Sequence, residues 1–421
     1  MVQVYELMSG VTLRCFPADK FKQGSLSIQF LRQMRREEAA VNALIPAVLL
    51  RGTEKHRDLR DITLHLDDLY GASVGAVVRR IGDYQTMGLY CGFIEDRYAL
   101  TGDRILEPMM DFVGELLLEP LLVEGGFSPK FVASEKKNLI AAIESERNDK
   151  RAYASAQLFR KMCAGDPYGI PRLGEAEQVE KIDPVAAYRH YRNVLTESPV
   201  EIFYVGSGDP NVVAQGIKRI FAQIPRNPQT LPAQTAFQDA GGGDYSETME
   251  ISQGKLGLGF VTPITNRSED FPAMQVFNTV FGAGMTSKLF ANVREKMSLC
   301  YAIGSGYYGA KGILTVFAGI DCDKEPVVKE EVLRQLALCQ AGEISEEELT
   351  AAREAILSGL RGVHDSPAAI ESYETVAAIG GLKLTVPEYR AAVEKITVAD
   401  VARVASTLRL HTTFFLKGVR V

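Results

Sequence analysis

The chain has no tryptophan, and its five histidines, His56, His65, His190, His364 and His411, are dispersed. No two of them stand at the short spacing by which one helix or loop ligates a metal ion. The six cysteines (Cys15, Cys91, Cys163, Cys300, Cys322 and Cys339) include no Cys-x-x-Cys pair, which excludes a thiolate zinc knuckle and a dithiol redox motif. Scattered single thiols read instead as buried or half-buried side chains of a reducing compartment. No apolar run approaches the roughly 18 residues a membrane-spanning helix needs, and Leu44 to Leu50 is typical of those present. There is no basic excess. A net charge of -6 and a pI near 5.6 give no cationic footprint for nucleic acid or an anionic membrane surface. Met1 to Glu6 carry no basic segment leading into an apolar one, so no secretory signal is expected and a cytoplasmic location is. P-loop, dinucleotide glycine fingerprint and nucleophile elbow are all missing, and Gly282-Ala283-Gly284 is too short to stand for any of them.

What is present is the material of two ordinary domains: 421 residues, 46% hydrophobic and 24% charged. Between about 223 and 244 the chain is rich in Pro, Gln and Gly, and this stretch reads as a linker. The ranges expected are therefore 1–228, a linker over 229–244, and 245–421. Both halves mix strand alternation with amphipathic helices. Leu26, Ile28 and Phe30 alternate as a strand, as do Leu256, Leu258 and Phe260. Glu201 to Gly206 is a second strand of the first half, and Gly312 to Ile320 is apolar on both faces, as a covered strand is. Helical stripes run through Leu59, Ile62, Leu66 and Leu69 with Gly71 at the end, and through Ile105, Met109, Phe112, Val113 and Leu116. Ser128-Pro129 opens a long helix reaching Glu144, and Ser345 with Glu348 forms a capping box ahead of Leu349, Ala352, Ile356 and Leu360. A shift of 230 positions lays Ala43-Leu44 on Ala273-Met274 and Gly52 on Gly282, a pattern of two related halves.

From Gly282 the chain reads Gly-Ala-Gly-Met-Thr-Ser287, then Lys-Leu-Phe-Ala-Asn-Val-Arg294-Glu-Lys, then Met-Ser-Leu-Cys-Tyr301. Glycines permit a tight turn, Ser287 caps the helix that follows, and Leu289, Val293 and Met297 anchor it. On this reading Arg294 sits one turn from Phe290, and Tyr301 lies on the next strand, alternating with Leu299 and Ile303. The motif resembles the second-domain signature of the pitrilysin/insulinase superfamily of zinc peptidases. The resemblance spans nearly the whole chain and includes Asp166-Pro167-Tyr168-Gly169 and Leu173-Gly174.

The first half resembles the superfamily's active-site helix, which carries an inverted zinc motif, His-x-x-Glu-His, shortly before a Gly-Thr pair. Counting back from Gly52-Thr53, the two metal-binding positions hold Ala43 and Ala47, and the catalytic glutamate position holds Pro46. A methyl group offers no lone pair to a metal, and proline accepts no proton from water. Pro46 also removes a backbone hydrogen bond from a helix interior, at a cost of roughly 3 kcal/mol. The third ligand that the resemblance implies is a glutamate on a later helix, here Glu135 or Glu144, and exposed helix charge is the plain reading of both. His65-Leu66-Asp67-Asp68 lies on an amphipathic stripe and reads as structural, and Asp321-Cys322-Asp323 reads as a solvated turn. This chain is thus expected to bind no metal.

The resemblance implies an α+β fold of two homologous domains, each a mainly antiparallel β-sheet covered by helices, of the mitochondrial-processing-peptidase type and forming half of a clamshell. It implies a degenerate member of the bacterial two-subunit processing-protease type. Arg294 and Tyr301 would then contact peptide substrate, the guanidinium as a fork of donors and the phenol toward a developing oxyanion. Zinc is expected in a homologous partner subunit that carries His-x-x-Glu-His, and a dimer is expected. The other reading is a non-enzymatic peptide-binding or scaffold protein that keeps the shape and no chemistry.

Overall fold

The computed structural model describes residues 2–418. Two compact units divide the chain. One comprises residues up to Ser145, Ile170–Gln234 and Asp365–Thr375; the other comprises Glu146–Gly169, Thr235–His364 and the residues from Val376 onward.

In the first unit, β1 (Gln3–Met8), β2 (Val11–Pro17), β3 (Gln23–Gln33), β4 (Ser73–Ile81) and β5 (Tyr84–Ile94) precede a small hairpin, β6 (Leu122–Val123) and β7 (Gly126–Phe127), and then β8 (Val200–Gly206). The main sheet has the order β1-β2-β8-β3-β5-β4, with β2 and β8 parallel and the other neighbours antiparallel. Its helices are α1 (Arg36–Leu49), α2 (Leu59–Asp68), α3 (Leu106–Leu118) and α4 (Pro129–Asn148), whose last turn passes into the other unit; after α5 (Lys150–Met162), which belongs to that unit, come α6 (Ala176–Glu180), α7 (Pro184–Glu197) and α8 (Pro210–Phe221). The alternation predicted for β3 puts Leu26, Ile28 and Phe30 on one face. There they meet Leu44 and Val48 of α1, Met109 and Val113 of α3, Val194 of α7 and Ile217 of α8 in one apolar core. Asp58 caps α2 by accepting from the backbone N–H of Arg60 and Asp61. Gly71, with φ of +69°, follows the helix end by two residues rather than capping it directly.

In the second unit, β9 (Gly243–Met249), β10 (Gly254–Val261), β11 (Ala302–Tyr308), β12 (Ile313–Ile320) and β13 (Arg409–Gly418) form a sheet of order β11-β12-β10-β13-β9. Only β13 and β9 are parallel. Read from β9, this order and these directions repeat β2-β8-β3-β5-β4 of the first unit strand for strand, so the chain is a structural repeat. Its helices are α9 (Phe271–Phe281), a π-helix (Leu289–Lys296), α10 (Glu325–Gln340), α11 (Glu346–Gly362), α12 (Pro367–Gly380), whose first part belongs to the first unit, α13 (Val386–Lys395) and α14 (Val398–Ala405). Ser345 and Glu348 form the expected capping box of α11. Gly312 lies in the turn before β12, with φ of +68°, because a Cβ there would fall 2.2 Å from the Thr262 carbonyl oxygen.

These units differ from the continuous ranges 1–228 and 245–421. Residues 146–169 belong with the second unit because α5 buries its apolar stripe there. Ala154 and Leu158 pack with Phe414 and Leu416, while Phe159 and Met162 pack with Val261 and Ile313. Residues 365–375 belong with the first unit, where Glu371 is tied to Gln29 and Arg79. The stretch 229–244 does link the units, the chain passing from one to the other between Gln234 and Thr235, and it is held by hydrogen bonds along its length. The Tyr84 hydroxyl donates to the Pro232 carbonyl at 2.6 Å, the Phe237 N–H donates to the Lys311 carbonyl at 3.1 Å, and Asp239 accepts from His411 at 2.8 Å. Composition marks such a stretch as irregular, but local hydrogen bonds decide whether it is loose.

Candidate functional site

Arg294 and Tyr301 line one open pocket of about 390 Å³, with Glu295, Ser298, Leu299, Cys300 and Lys324. The backbone brings them there by three devices. The stretch predicted as an ordinary helix is wound as a π-helix, and an i→i−5 bond runs from the Met297 N–H to the Asn292 carbonyl at 3.0 Å. Ser298 then takes a left-handed conformation, with φ of +49°, which turns the chain sharply. Tyr301 precedes β11 by one residue rather than lying within it, yet its N–H bonds to the Gly319 carbonyl at 3.0 Å, so it stays tied to the sheet.

Neither side chain is absorbed into the core. Tyr301 is 63% exposed, and its hydroxyl reaches only Asp321 Oδ1, at 3.4 Å. The Arg294 guanidinium lies over the Phe290 ring, 4.7 Å from its centroid, as the one-turn spacing predicted. Its Nε is 3.6 Å from Glu295 Oε1, an ion pair too long to be a hydrogen bond. Burial pushes the Cys300 thiol up to about 11 despite the neighbouring Arg294, so this wall of the pocket is a neutral thiol and not a thiolate nucleophile. Asp321 lies in the solvated turn expected from the sequence and also ties its neighbours: its other oxygen holds Lys324 Nζ at 3.1 Å, and this bond raises the ammonium's affinity for its proton.

In the first unit, α1 carries Ala43, Pro46 and Ala47. The first two are buried and Ala47 is half-buried. Beside them a neutral polar chain fills the helix surroundings: His190 Nε2 lies 2.7 Å from Asn42 Oδ1, Asn42 Nδ2 donates to Gln85 Oε1 at 2.9 Å, and Gln85 Nε2 donates to the Ala39 carbonyl at 3.0 Å. Because Asn42 Oδ1 can only accept, His190 carries its proton on Nε2. Burial lowers its proton affinity.

Glu135 is not the exposed helix charge expected from sequence. It is buried and held by Arg51 Nε at 3.4 Å and Asn138 Nδ2 at 3.1 Å. Glu144 is exposed and lines a groove along α4 with Val132, Lys136 and Ile140. The fold also sets His56 against His65 with tilted rings, centroids 4.6 Å apart, beside Phe112 and Glu115, a pairing that eight intervening residues hid. His56 Nδ1 lies 2.7 Å from Glu115 Oε1, which also accepts from the Thr53 hydroxyl. Among the described residues no group of three or more His, Cys, Asp or Glu side chains is placed to hold a metal ion. A donor set of two methyls, a proline ring and a carboxylate already bound by arginine does not fit zinc.

The comparisons with known proteins agree with this geometry. Residues 181–356 match the family model described as "Peptidase M16 inactive domain". The "probable inactive metalloprotease YmfF" of Bacillus subtilis (strain 168) is 30% identical over 421 residues, covering 99% of each chain. YmxG of the same organism, an uncharacterized zinc protease, is 29% identical over 270 residues, which is 64% of this chain and 65% of that one. The crystal structure of a conserved protein from Enterococcus faecalis V583 superposes with a TM-score of 0.93 at 26% identity, covering 99% of both chains. The chain belongs to the M16 peptidases, the pitrilysin/insulinase family, as a degenerate member with Ala43, Pro46 and Ala47 at the positions of the zinc motif. No helix among the described residues is long and apolar enough to cross a membrane.

Proposed function

We propose that this chain is the non-catalytic subunit of a two-part zinc peptidase, holding peptide for a homologous partner that carries the metal. The observation that carries this reading is an asymmetry between the units. The helix that would hold zinc has lost every donor, while the pocket that would hold peptide keeps Arg294 and Tyr301 outside the core, each beside a single acid, Glu295 and Asp321. A protein that had dropped peptide handling altogether would have no chemical reason to keep a solvent-accessible guanidinium beside an exposed phenol. The pairing gains support from Bacillus subtilis, where one relative is named as inactive and another as a zinc protease. In this assembly, a cytoplasmic heterodimer, the peptide would lie against Arg294 and Tyr301, and the partner's His-x-x-Glu-His site would supply the hydrolytic chemistry. This chain supplies donors to the peptide backbone and excludes water from one side of it.

The test is co-expression of this chain with the His-x-x-Glu-His paralogue from the same genome. Co-purification and peptide cleavage by the pair, but by neither chain alone, are expected. Arg294→Ala should lower the pair's kcat/KM by about tenfold to a hundredfold, the scale of losing a positioned charged donor. Failure of the chains to associate, or full activity of the Arg294→Ala pair, sinks the proposal and leaves the scaffold reading.

A further inference from the structure

The pocket at Arg294 contains a second cation that the peptide-holding role does not require. Lys324 ends the short turn after β12, well apart in sequence from the π-helix, yet both side chains line the same pocket. We infer that this pocket receives a carboxylate of the bound peptide, gripped between the guanidinium of Arg294 and the ammonium of Lys324. The inference rests on the reading of this pocket as the peptide site and names the chemistry of one group within it.

Four observations carry it. A peptide carbonyl needs one donor, whereas here two full positive charges face one volume of about 390 Å³. Each cation stands beside one acid and keeps further donors. Glu295 stays 3.6 Å from Arg294 Nε, and Asp321 takes one of the three Lys324 protons, at 3.1 Å. Two carboxylates beside two cations leave the pocket near neutral overall, so its attraction for an anion comes from the direction of the unused donors and not from net charge. Finally, Asp321 orders two walls at once, since Oδ2 fixes Lys324 while Oδ1 takes the Tyr301 hydroxyl at 3.4 Å. Asp321 is therefore a positioning residue: it touches no ligand and aims the groups that do. The neutral Cys300 thiol adds no opposing charge to the pocket.

Two sources of the carboxylate are open, an acidic side chain within the peptide and a free C-terminus, and the experiment separates them. The full-length chain is titrated with fluorescein-labelled peptides of one Ala/Ser/Val sequence whose central residue is Glu or Gln. Each is made with a free and an amidated C-terminus, and binding is read by anisotropy. Preference of about tenfold for the Glu peptide over its Gln twin, or for the free over the amidated end, identifies the source; a factor of ten corresponds to about 1.4 kcal/mol. Lys324→Gln should abolish the preference, so that the acid-bearing peptide and its uncharged twin bind alike. Asp321→Asn should reduce the preference with an unchanged melting temperature, and Asp321→Glu should restore it in part.

Equal binding of all four peptides, or no saturable binding of any, overturns the inference. The two readings fail separately. Loss of turnover in the Arg294→Ala pair without any acid preference keeps the subunit role and removes the carboxylate. An acid preference in the chain alone, with turnover of the pair indifferent to Arg294, does the reverse.

Discussion

Lys311 Nζ lies 2.9 Å from Asp166 Oδ1, and neither side chain is exposed to solvent. The pair joins the Asp166-Pro167-Tyr168-Gly169 turn to the β11–β12 turn. Asp166 accepts further bonds from the Tyr168 N–H at 2.8 Å and the Gln238 N–H at 3.2 Å, and Lys311 also donates to Thr235 Oγ1 at 3.1 Å. A buried ion pair this well satisfied costs little when whole and much when halved. Lys311→Met, which strands the carboxylate, should destabilise the second unit by about 3–5 kcal/mol. Combining it with Asp166→Asn, whose oxygen still accepts, should recover about half of that loss. Urea unfolding of the four proteins checks the cycle, and additive losses would contradict it.

A second buried acid fixes the α12 segment of the first unit. Glu371 is 1% exposed and accepts from Arg79 through two nitrogens, each at 2.9 Å, and from Gln29 Nε2 at 2.8 Å. Glu371→Ala should cost about 2–3 kcal/mol, below the full value for a buried pair because Arg79 is partly hydrated. Hydrogen exchange should accelerate across residues 365–375 first. Uniform protection there would mean the segment is held by packing alone.

Acid should weaken the first unit through two imidazoles. Burial, reinforced by His56, holds His65 below its ordinary value near 6.5, and burial does the same for His190, which faces Glu38, Arg32 and Glu197. Below that ordinary value the unfolded chain binds protons that the folded chain refuses, so stability falls as the pH drops through about 6.5 and is unaffected above it. The carboxylates of Glu115 and Asp68 oppose the effect at His65 without reversing it. His65→Gln should flatten the slope of unfolding free energy against pH between neutral and mildly acidic conditions. An unchanged slope would remove His65 from the account.

Metal should not matter to the isolated chain. A ligand that binds only the folded state raises stability with its concentration, so a zinc site would betray itself in the melt. Neither EDTA nor added zinc should shift the melting temperature by more than about a degree, given that 1 kcal/mol moves it by a few degrees. Metal analysis after dialysis against zinc should find a substoichiometric amount.

Where local chemistry sufficed, the sequence was legible. The alternation at Leu26, Ile28 and Phe30, the Ser128-Pro129 opening of α4, and the Ser345/Glu348 box each depend on neighbours within a few positions. That Arg294 and Tyr301 belong together came from the resemblance of residues 282–301 to a known motif rather than from local chemistry; the structure sets both on one pocket, with six residues between them. The burial of Glu135 was not legible, because its partner Arg51 comes from a distant element. Nor was the place of α5: an amphipathic stripe states that a face will be buried and not against which sheet.

The loss of the His-x-x-Glu-His donors was decided by side-chain identity alone, because no arrangement of the side chains of Ala43, Pro46 and Ala47 can supply lone pairs. The two-unit repeat was also written in hydrophobic periodicity. Tertiary structure decided the rest. It set Lys324 beside Arg294, wound residues 289–296 into a π-helix, and assigned α5 and residues 365–375 to units other than their neighbours' in sequence. These outcomes depend on which surfaces meet after the chain has folded back on itself, and that is settled by packing and long-range charge rather than by any local run of residues.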